Sequence, residues 1–324
     1  MKGISFVIRT LNEGLYLKDT LESISCQNND NFEVIIVDSG STDNTKEIAS
    51  SFGCKIVNIK KEEWSWGKAL NLGISYAIYD NVCIISGHCI LTNESFIDVA
   101  FQLLEQSNVV YGRQVPIDNF DPFEEYELNA WYPKSVKINN SELIKVGKGV
   151  GVSNACCILN KKIWFEFKYN ETLQSMEDAE WAYRVALGEN MIIYTSLLSV
   201  YHSHKFNSDY TYRKWYCRQY EGYVFLNKSY NIYNVDFFGI VKFLMSDIFR
   251  FIKLPIEIVK INSLLNNRYT INKTSFLGYF LIRNLAIHNA FFDYAKNKPI
   301  NYWGVDSKVL KTINRYFKMS FKVK

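Results

Sequence analysis

The chain has 324 residues, of which 48% are hydrophobic and 22% are charged. A chain of this length and composition can bury one large core or two smaller ones, which excludes a wholly disordered protein. The net charge of +4 is unevenly distributed: residues 1–204 hold 17 basic and 26 acidic side chains, whereas residues 205–324 hold 20 and 7. The basic second part indicates docking to an anionic partner, either a membrane or a nucleic acid.

The cysteines and the N-terminus indicate the compartment. The seven cysteines are scattered singly apart from Cys156 and Cys157, without CxxC pairs or a disulfide framework. This usage is typical of a reducing compartment. The first residues lead directly into a strand-like segment, without the pattern of a signal peptide. We therefore expect a cytoplasmic protein.

Strands alternate with helices in the first part of the chain. Short apolar runs predict strands at Ile4–Ile8, Val34–Val37, Lys55–Ile59, Val82–Ile85 and Val109–Tyr111. Apolar residues three or four apart predict helices that contain Leu17–Ile24, Ile48–Phe52, Lys68–Tyr79 and Phe96–Leu104. This alternation predicts a mostly parallel sheet with right-handed crossovers.

The alternation stops between Gln114 and Lys148, where the sequence is rich in Asp, Glu, Tyr and Pro. We expect a long functional loop with short helices there. Further elements are then predicted at Gly149–Leu159, Lys161–Phe167, Glu177–Leu187, Met191–Tyr194 and Leu198–His202. The predicted domains are residues 1–204 and a helical, basic and aromatic region over residues 205–324.

Asp38 lies just after the buried strand at Val34–Val37 and just before a helix. Ligands of open α/β sheets bind outside the carboxyl ends of the strands, so this carboxylate is a candidate functional group. The alternative is an Asp that only caps the turn.

Seven short motifs follow one another between residues 1 and 226. They read SFVIRTLNEG, VDSGSTDNT, SWGKALNLG, SGHC, GRQVP, MEDAEWAYR and VYHSH. Their order and spacing resemble the family 2 glycosyltransferases of the GT-A type, above all the bacterial rhamnosyltransferase-like members that build surface polysaccharides. The resemblance implies a nucleotide-diphospho-sugar transferase fold, with a mostly parallel central sheet flanked by helices and a C-terminal helical extension.

The resemblance also implies a donor site. Its residues here are Thr10, Asn12, Glu13, Asp38, Ser39, Gly67, Lys68, Asn71 and His88. Glu13 and Asp38 can accept hydrogen bonds from a uracil-like N–H or from ribose hydroxyls. Glu13 as a simple partner of the helix dipole is the alternative. The family usually has an Arg where this chain has Leu70, and Lys68 is the candidate replacement for that charge.

His88 departs from the family pattern, because it replaces the last carboxylate of a DxD-like motif that normally holds a divalent metal. One interpretation is that His88 binds a metal, Mn²⁺ or Mg²⁺, together with His202 or His204, although hard cations prefer oxygen ligands. Alternation in an extended segment places His202 and His204 on one face. The other interpretations are a direct contact from His88 to the diphosphate, or a His that only ends the strand.

Glu177 and Asp178 are the candidate catalytic residues. An inverting transferase needs a carboxylate that takes the proton from the acceptor hydroxyl, and the resemblance implies that Asp178 is this base, with Glu177 as second choice. Two acids that favour a helix N-terminus are the alternative. The acceptor side is predicted at Arg113, Gln114, Asn154 and Trp181. The aromatic residues Trp131, Tyr132 and Trp181 could stack on sugar rings or lie in the core.

Within residues 205–324, an apolar stripe between residues 235 and 261 is mixed with Lys242, Arg250, Lys253 and Lys260. This pattern predicts a helix that lies in a membrane interface. We expect peripheral attachment to the inner face of the plasma membrane. An ordinary helical subdomain is the alternative. Nucleic acid is not expected as a partner, since no nucleic-acid motif accompanies the charge.

The sequence thus predicts an inverting glycosyltransferase of hexosyl or deoxyhexosyl type. We expect it to move a sugar from a nucleotide-sugar donor to a glycan or polyprenyl-linked acceptor in capsule or O-antigen biosynthesis. The alternative is a non-catalytic binding protein that kept the fold but lost the metal carboxylate.

Overall fold

The computed structural model describes residues 3–117, 121–134, 138–139, 152–188, 190–204, 208–230, 269–271, 273–298 and 321–323, with short runs between 241 and 259. The chain divides into two compact units. The first comprises Met1–Pro116, Leu128–Leu173 and Glu177–His202, and the second Ile117–Glu127, Gln174–Met176 and Ser203–Lys324. Two short segments that precede residue 204 therefore belong to the second unit.

The described strands of the first unit form one mixed sheet. They are β1 Ile4–Thr10, β2 Phe32–Asp38, β3 Lys55–Asn58, β4 Asn81–Ser86, β5 Ile90–Leu91, β6 Val109–Val115, β7 Ile138–Asn139, β8 Cys156–Asn160 and β9 Ile192–Tyr201. Their order is β3-β2-β1-β4-β8-β6-β9-β5, and β7 pairs with β9. Strands β3, β2, β1 and β4 are parallel, and β6 and β9 run the same way because β4 and β6 are both antiparallel to β8. The expected predominance of one strand direction is confirmed.

The helices follow the predicted alternation. They are α1 Leu17–Ser25, α2 Thr45–Ser51, α3 Trp66–Ser75, α4 Phe96–Leu104, α5 Pro122–Trp131, α6 Lys161–Glu166 and α7 Glu177–Leu187, with a 3₁₀ turn at Lys61–Glu63. The predicted bounds of α4 and α7 are confirmed. Helix α3 begins two residues earlier than predicted, because the Ser65 hydroxyl accepts a hydrogen bond from the Lys68 backbone N–H and caps it there.

The prediction of two separate strands at Met191–Tyr194 and Leu198–His202 was wrong. The structure has one strand, β9, which pairs with β6 on both sides of a register shift. Thr195 lies opposite Gly112 and Ser199 lies opposite Arg113, so the extra residues bulge out between them. The bulge interrupts the apolar pattern without ending the strand. The predicted strand at Gly149–Leu159 is described as β8, and residues 140–151 lie outside the described residues.

Both faces of the sheet are covered, as the apolar runs predict. Val7 and Val37 point into one hydrophobic cluster, whereas Phe6 and Ile36 point into the other. Helix α7 covers the first face with the fully buried Trp181. The carboxyl ends of β1, β2 and β4 lie side by side. In the strand register, Thr10 of β1 is opposite Asp38 of β2, and Arg9 of β1 is opposite Ser86 of β4.

The second unit contains two long helices, α8 Ser208–Tyr230 and α9 Lys273–Ala295, and the antiparallel strands β10 Tyr269–Ile271 and β11 Phe321–Val323. The helices pack through a cluster of buried side chains: Tyr212, Tyr216, Cys217, Tyr220, Tyr223, Ile282, Ala286, Ile287, Ala290 and Phe291. None of the described helices combines the length and apolar character needed to cross a bilayer.

One basic residue of α8, Lys214, is partly buried and pairs with acidic side chains of its own unit. The Nζ atom of Lys214 lies 2.7 Å from a carboxylate oxygen of Glu127 and 3.3 Å from one of Glu124. Glu127 also accepts hydrogen bonds from Trp215 Nε1 and the Tyr279 hydroxyl. Burial alone raises the pKa of Glu127, but the contacts with Lys214 outweigh it and lower that pKa. Part of the basic charge of this region is therefore structural.

Candidate functional site

Asp38 closes the turn that follows β2. Its Oδ1 atom accepts hydrogen bonds from the backbone N–H groups of Gly40 and Ser41 at 3.0 and 2.9 Å. Its Oδ2 atom accepts one from the Thr10 hydroxyl at 3.2 Å, which joins the ends of β1 and β2. Gly40 has a φ of +95°, which favours glycine in this turn. The carboxylate is fully buried and caps this turn, and its part in donor binding stays a prediction. Ser39, also buried, continues the turn.

Asn12 ties the first turn to the second. Its Oδ1 atom accepts a hydrogen bond from the Thr42 backbone N–H at 2.8 Å, and its own N–H donates to the Ser41 hydroxyl at 2.8 Å. Asn12 has a φ of +57°, a conformation that Asn tolerates better than most residues. Both predicted donor turns are thus held as one rigid edge of the sheet.

Glu13, His88 and His202 come together at this edge. The Nδ1 atom of His88 lies 3.1 and 3.2 Å from the two carboxylate oxygens of Glu13. The Nε2 atom of His88 lies 3.1 Å from the Nε2 atom of His202, and the two rings are nearly parallel with centroids 5.0 Å apart. A Cβ atom on Gly87 would lie 2.9 Å from Cγ of Glu13, so glycine permits this close approach.

This arrangement suits either a shared proton or a metal ion. The two Nε2 atoms can form a hydrogen bond only if one of them carries a proton and the other does not. Two protonated nitrogens at this position would repel each other. A carboxylate that orients a histidine through its other nitrogen is also the usual support of a metal-binding histidine. The structure therefore brings together His88 and His202 as predicted. His204 belongs to the second unit, where its ring lies 5.1 Å from that of Tyr210.

Glu177 is held by two donors at the start of α7. Its Oε1 atom lies 3.1 Å from a guanidinium nitrogen of Arg9 and accepts a hydrogen bond from Asn154 Nδ2 at 3.2 Å. The guanidinium also lies over the ring of Trp66, 4.7 Å from its centroid. The side chains of Arg9 and Glu177 are 11% and 8% exposed, so this ion pair is largely shielded from water. Glu177 is therefore engaged in structural contacts.

Asp178, the next residue of α7, contacts two backbone N–H groups. Its Oδ1 atom accepts a hydrogen bond from the Ala179 backbone N–H at 2.8 Å, and its Oδ2 atom lies 3.4 Å from the Asn154 backbone nitrogen. Asn154 is itself fixed, because its Oδ1 atom accepts a hydrogen bond from the buried Tyr169 hydroxyl at 3.1 Å. Met176, just before the helix, has a φ of +62°, which is strained for a bulky residue. The role of Asp178 as catalytic base stays a prediction.

The α3 residues have mainly structural contacts. Asn71 uses its full hydrogen-bonding capacity, with Nδ2 donating to Tyr169 O and Glu171 Oε1 and Oδ1 accepting from Trp164 Nε1 and Tyr169 N. A side chain on Gly67 would overlap the carbonyl oxygen of Asn170. Lys68 is partly exposed, and its Nζ atom lies 3.7 Å from the Oε2 atom of Glu63. Lys68 is thus the member of this segment whose side chain best reaches solvent.

The predicted acceptor residues are dispersed between surface and core. Arg113 donates hydrogen bonds to the Tyr132 carbonyl and to Asn129 Oδ1 at 3.1 and 2.9 Å, and Gln114 is buried. Trp181 is fully buried and stacks on Tyr169 with ring centroids 5.0 Å apart. The interpretation of Trp181 as a sugar-stacking residue was wrong, because no face of its ring is open to a ligand.

Arg9 was missed by the sequence reasoning. A charged residue at the end of an otherwise apolar strand was the available signal, since a buried cation requires a partner. Tyr169 was missed too, because its role depends on a loop contact that periodicity does not report.

Comparisons with known proteins indicate the family and the fold. Residues 5–165 match the glycosyl transferase family 2 model. The chain is 27% identical over 223 residues to the O-antigen chain rhamnosyltransferase WbaN of Salmonella anatum, which covers 67% of this chain and 71% of that protein. It is 26% identical over 229 residues to the rhamnosyltransferase RfbN of Salmonella typhimurium, covering 68% and 72%.

The fold also matches a solved structure. The mannosyltransferase PcManGT of Pyrobaculum calidifontis, in complex with GDP-Man and Mn²⁺, superposes with a TM-score of 0.57 at 12% identity, covering 91% of this chain and 88% of that one. At this identity the match concerns the fold alone. The chain therefore carries a glycosyl transferase family 2 domain on a GT-A fold, and it resembles the enzymes that build bacterial surface polysaccharides.

Proposed function

We propose that this glycosyltransferase is an inverting enzyme of hexosyl or deoxyhexosyl type. It moves a sugar from a nucleotide-sugar donor to a glycan or polyprenyl-linked acceptor in O-antigen or capsule biosynthesis. The observation that carries the proposal is the match of residues 5–165 to the glycosyl transferase family 2 model, and Asp178 lies beyond that match, at the start of α7. The similarity to two O-antigen chain rhamnosyltransferases supports a deoxyhexose as donor sugar.

Asp178 is the proposed base. The acceptor hydroxyl gives its proton to the Asp178 carboxylate as its oxygen forms a bond to the anomeric carbon, while the bond to the nucleoside diphosphate breaks. Glu177 pairs with Arg9 and contributes to placing Asn154, whose backbone N–H faces Asp178. Arg113, Gln114 and Asn154 are the proposed acceptor-side residues.

The donor is proposed to bind at the carboxyl ends of β1, β2 and β4. Thr10 and Asp38 fix the two turns from which the donor would be held. The other proposed donor residues are Asn12, Glu13, Ser39, Gly67, Lys68, Asn71 and His88. Glu13 in this structure faces His88, which supports an indirect role through that imidazole.

The chemistry of the histidines fits a divalent cation. The Nε2 atoms of His88 and His202 are 3.1 Å apart, close to the spacing of about 3 Å that two ligand nitrogens have on one metal ion. His88 and His202 would hold the ion, and Mn²⁺ suits imidazole better than Mg²⁺ does. A cation supplies charge stabilisation for the departing diphosphate.

The proposed catalytic region is residues 1–204, and residues 205–324 form the C-terminal region. We propose a location at the inner face of the plasma membrane, supported by the balance of 20 basic against 7 acidic side chains in residues 205–324.

A donor screen tests the proposed function. The full chain is incubated with UDP-, GDP- and dTDP-sugars, and nucleoside diphosphate release is measured with and without a lipid-linked glycan acceptor. Release that requires one donor and rises with acceptor is the expected result. A chain that binds a nucleotide sugar in a thermal-shift assay but never releases the diphosphate would instead be a binding protein, the second candidate favoured by the loss of the metal carboxylate at His88.

A further inference from the structure

A buried chain of hydrogen bonds links helix α3 to the first turn of helix α7. It starts at Asn71 on α3, passes through Tyr169 and Asn154, and ends at Asp178. These residues all belong to the first unit, and Asn71, Tyr169 and Asn154 are each no more than 8% exposed. Helix α3 carries three of the proposed donor residues and α7 carries the proposed base. The chain therefore connects the two parts of the proposed site.

The first link fixes the backbone of Tyr169 to α3. The Oδ1 atom of Asn71 accepts a hydrogen bond from the Tyr169 backbone N–H at 3.0 Å, and its Nδ2 atom donates to the Tyr169 carbonyl at 2.9 Å. Trp164 Nε1 donates to the same Oδ1 atom at 2.9 Å, which fixes the orientation of the amide. A buried polar atom that loses its partner is costly. We therefore expect Tyr169 to keep its place relative to α3.

The second link is the hydroxyl of Tyr169. Its ring stacks on Trp181 of α7, with centroids 5.0 Å apart and an angle of 16° between the planes. Burial raises the pKa of this hydroxyl well above its ordinary value, and the neighbouring Cys157 and Glu177 raise it further. The hydroxyl therefore keeps its proton near neutral pH, and it donates to the Oδ1 atom of Asn154 at 3.1 Å.

The third link is Asn154, which contacts both acids of α7. Its Nδ2 atom donates to Glu177 Oε1 at 3.2 Å, and its backbone nitrogen lies 3.4 Å from Asp178 Oδ2. The Tyr169 hydroxyl selects this orientation of the amide, because a donor must face the amide oxygen. Without the hydroxyl the amide can turn over, which would bring its oxygen to the Glu177 carboxylate, a second acceptor. The first turn of α7 would then shift.

We propose that Tyr169 is a positioning residue of the transferase, which sets the Asp178 carboxylate against the donor segment of α3. It acts through Asn154 and contacts no reacting atom. Reacting groups must be held closely in place, since a displacement of about 1 Å can cost roughly 10²-fold in rate. This inference rests on the proposed function, because it requires Asp178 as the base.

Steady-state kinetics of Tyr169→Phe in the full chain test the proposal, with the donor and acceptor found in the screen. The variant keeps the ring and loses only the hydroxyl. We expect kcat to fall roughly 10- to 100-fold while the KM for the donor stays within about twofold of the wild-type value, because only the base is displaced. Tyr216→Phe is the matched control. It removes a hydroxyl hydrogen bond of another buried tyrosine, to Asp293, and is expected to keep the wild-type kcat.

A double-mutant cycle separates positioning from a general loss of structure. In the Asp178→Asn background, Tyr169→Phe is expected to lower kcat no further, because no base is left to position. A wild-type kcat of Tyr169→Phe overturns the proposal, and so does a fall that is equally large with and without Asp178→Asn. Wild-type turnover by Asp178→Asn is a different result, since it removes the proposed base and the role of Tyr169 with it.

The next link of the chain gives a second test if Tyr169→Phe folds poorly. Asn154→Ala removes the amide that receives the tyrosine hydroxyl but keeps the backbone N–H that faces Asp178. At saturating acceptor, kcat is expected to fall by a similar factor, with the KM for the donor unchanged. A wild-type kcat of Asn154→Ala would overturn the proposal as well.

Discussion

Glu177 and Asp178 are adjacent in sequence but differ in their contacts. Glu177 is enclosed by Arg9 and Asn154, whereas Asp178 accepts backbone N–H groups. The sequence predicted the pair and its position at the start of a helix, but it did not predict Arg9. That contact joins residues 168 positions apart, and no local pattern reports so distant a pairing.

Removing the charge of Arg9 is expected to destabilise the protein. In Arg9→Met, Glu177 keeps a buried negative charge without its cation, which costs on the order of 3–5 kcal/mol. Urea unfolding measures this loss. The double variant Arg9→Met, Glu177→Gln removes both charges, so it is expected to recover much of the lost stability. Equal stability of the single and double variants would contradict this, because the loss would then not arise from the charge of Glu177.

His88 is expected to determine the response to cations. If the imidazole pair binds a metal, Mn²⁺ raises the melting temperature of the wild type more than Mg²⁺ does, because imidazole is the softer ligand. His88→Ala is expected to lose this increase. His288→Ala, on α9, is the matched control and keeps it. A wild type whose melting temperature ignores Mn²⁺ contradicts the metal interpretation and favours a direct contact from His88 to the diphosphate.

At the scale of elements, most helices and strands followed from their apolar spacing. Helices α4 and α7 begin and end where periodicity predicted, because each has an uninterrupted apolar face. Strand β9 was divided wrongly, since a bulge opposite Gly112 and Arg113 breaks the alternation while backbone pairing continues. Whether a strand continues through a bulge depends on the strand it is hydrogen-bonded to. The apolar pattern of a single strand carries no information about that partner.

Helix α3 packs closely against the segment around Asn170. Gly67→Ala is expected to destabilise the protein by about 1–3 kcal/mol, because the new Cβ overlaps a backbone carbonyl that has little room to move. Gly222→Ala, inside α8, is the matched control: nothing lies within 4 Å of its added Cβ. The control is expected to be neutral or to stabilise by up to about 1 kcal/mol. Chemical denaturation of both variants checks the contrast.

Asp293 on α9 is expected to make the free energy of unfolding depend on pH. Burial on its own raises the pKa of Asp293, but hydrogen bonds from Lys298 and Tyr216 outweigh it and lower the pKa below 3.8. A lowered pKa means that this stabilisation is present above the unfolded-state value and is lost as the pH falls through the folded-state value. The free energy of unfolding of the wild type should therefore fall more steeply in acid than that of Asp293→Asn. Parallel acid profiles would contradict this.

At the scale of the whole molecule, the motifs of residues 1–226 identified the family and the fold before any contact was known. Their order predicted the strand ends that carry Thr10, Asp38 and Ser86, which the register places side by side. The division into units was harder to predict: Ile117–Glu127 and Gln174–Met176 belong to the second unit although they lie within the sequence of the first. The assignment of these two segments depends on tertiary packing. A change in composition along the chain does not report it.

The central claim is that Asp178 takes the proton of the acceptor. The most direct measurement is the kcat of Asp178→Asn with the donor and acceptor found in the screen, compared with Asp19→Asn, which changes an exposed acid in the first turn of α1. We expect kcat to fall roughly 10²- to 10⁴-fold in Asp178→Asn, with unchanged donor binding, and to stay at the wild-type value in the control. Wild-type turnover by Asp178→Asn would contradict it.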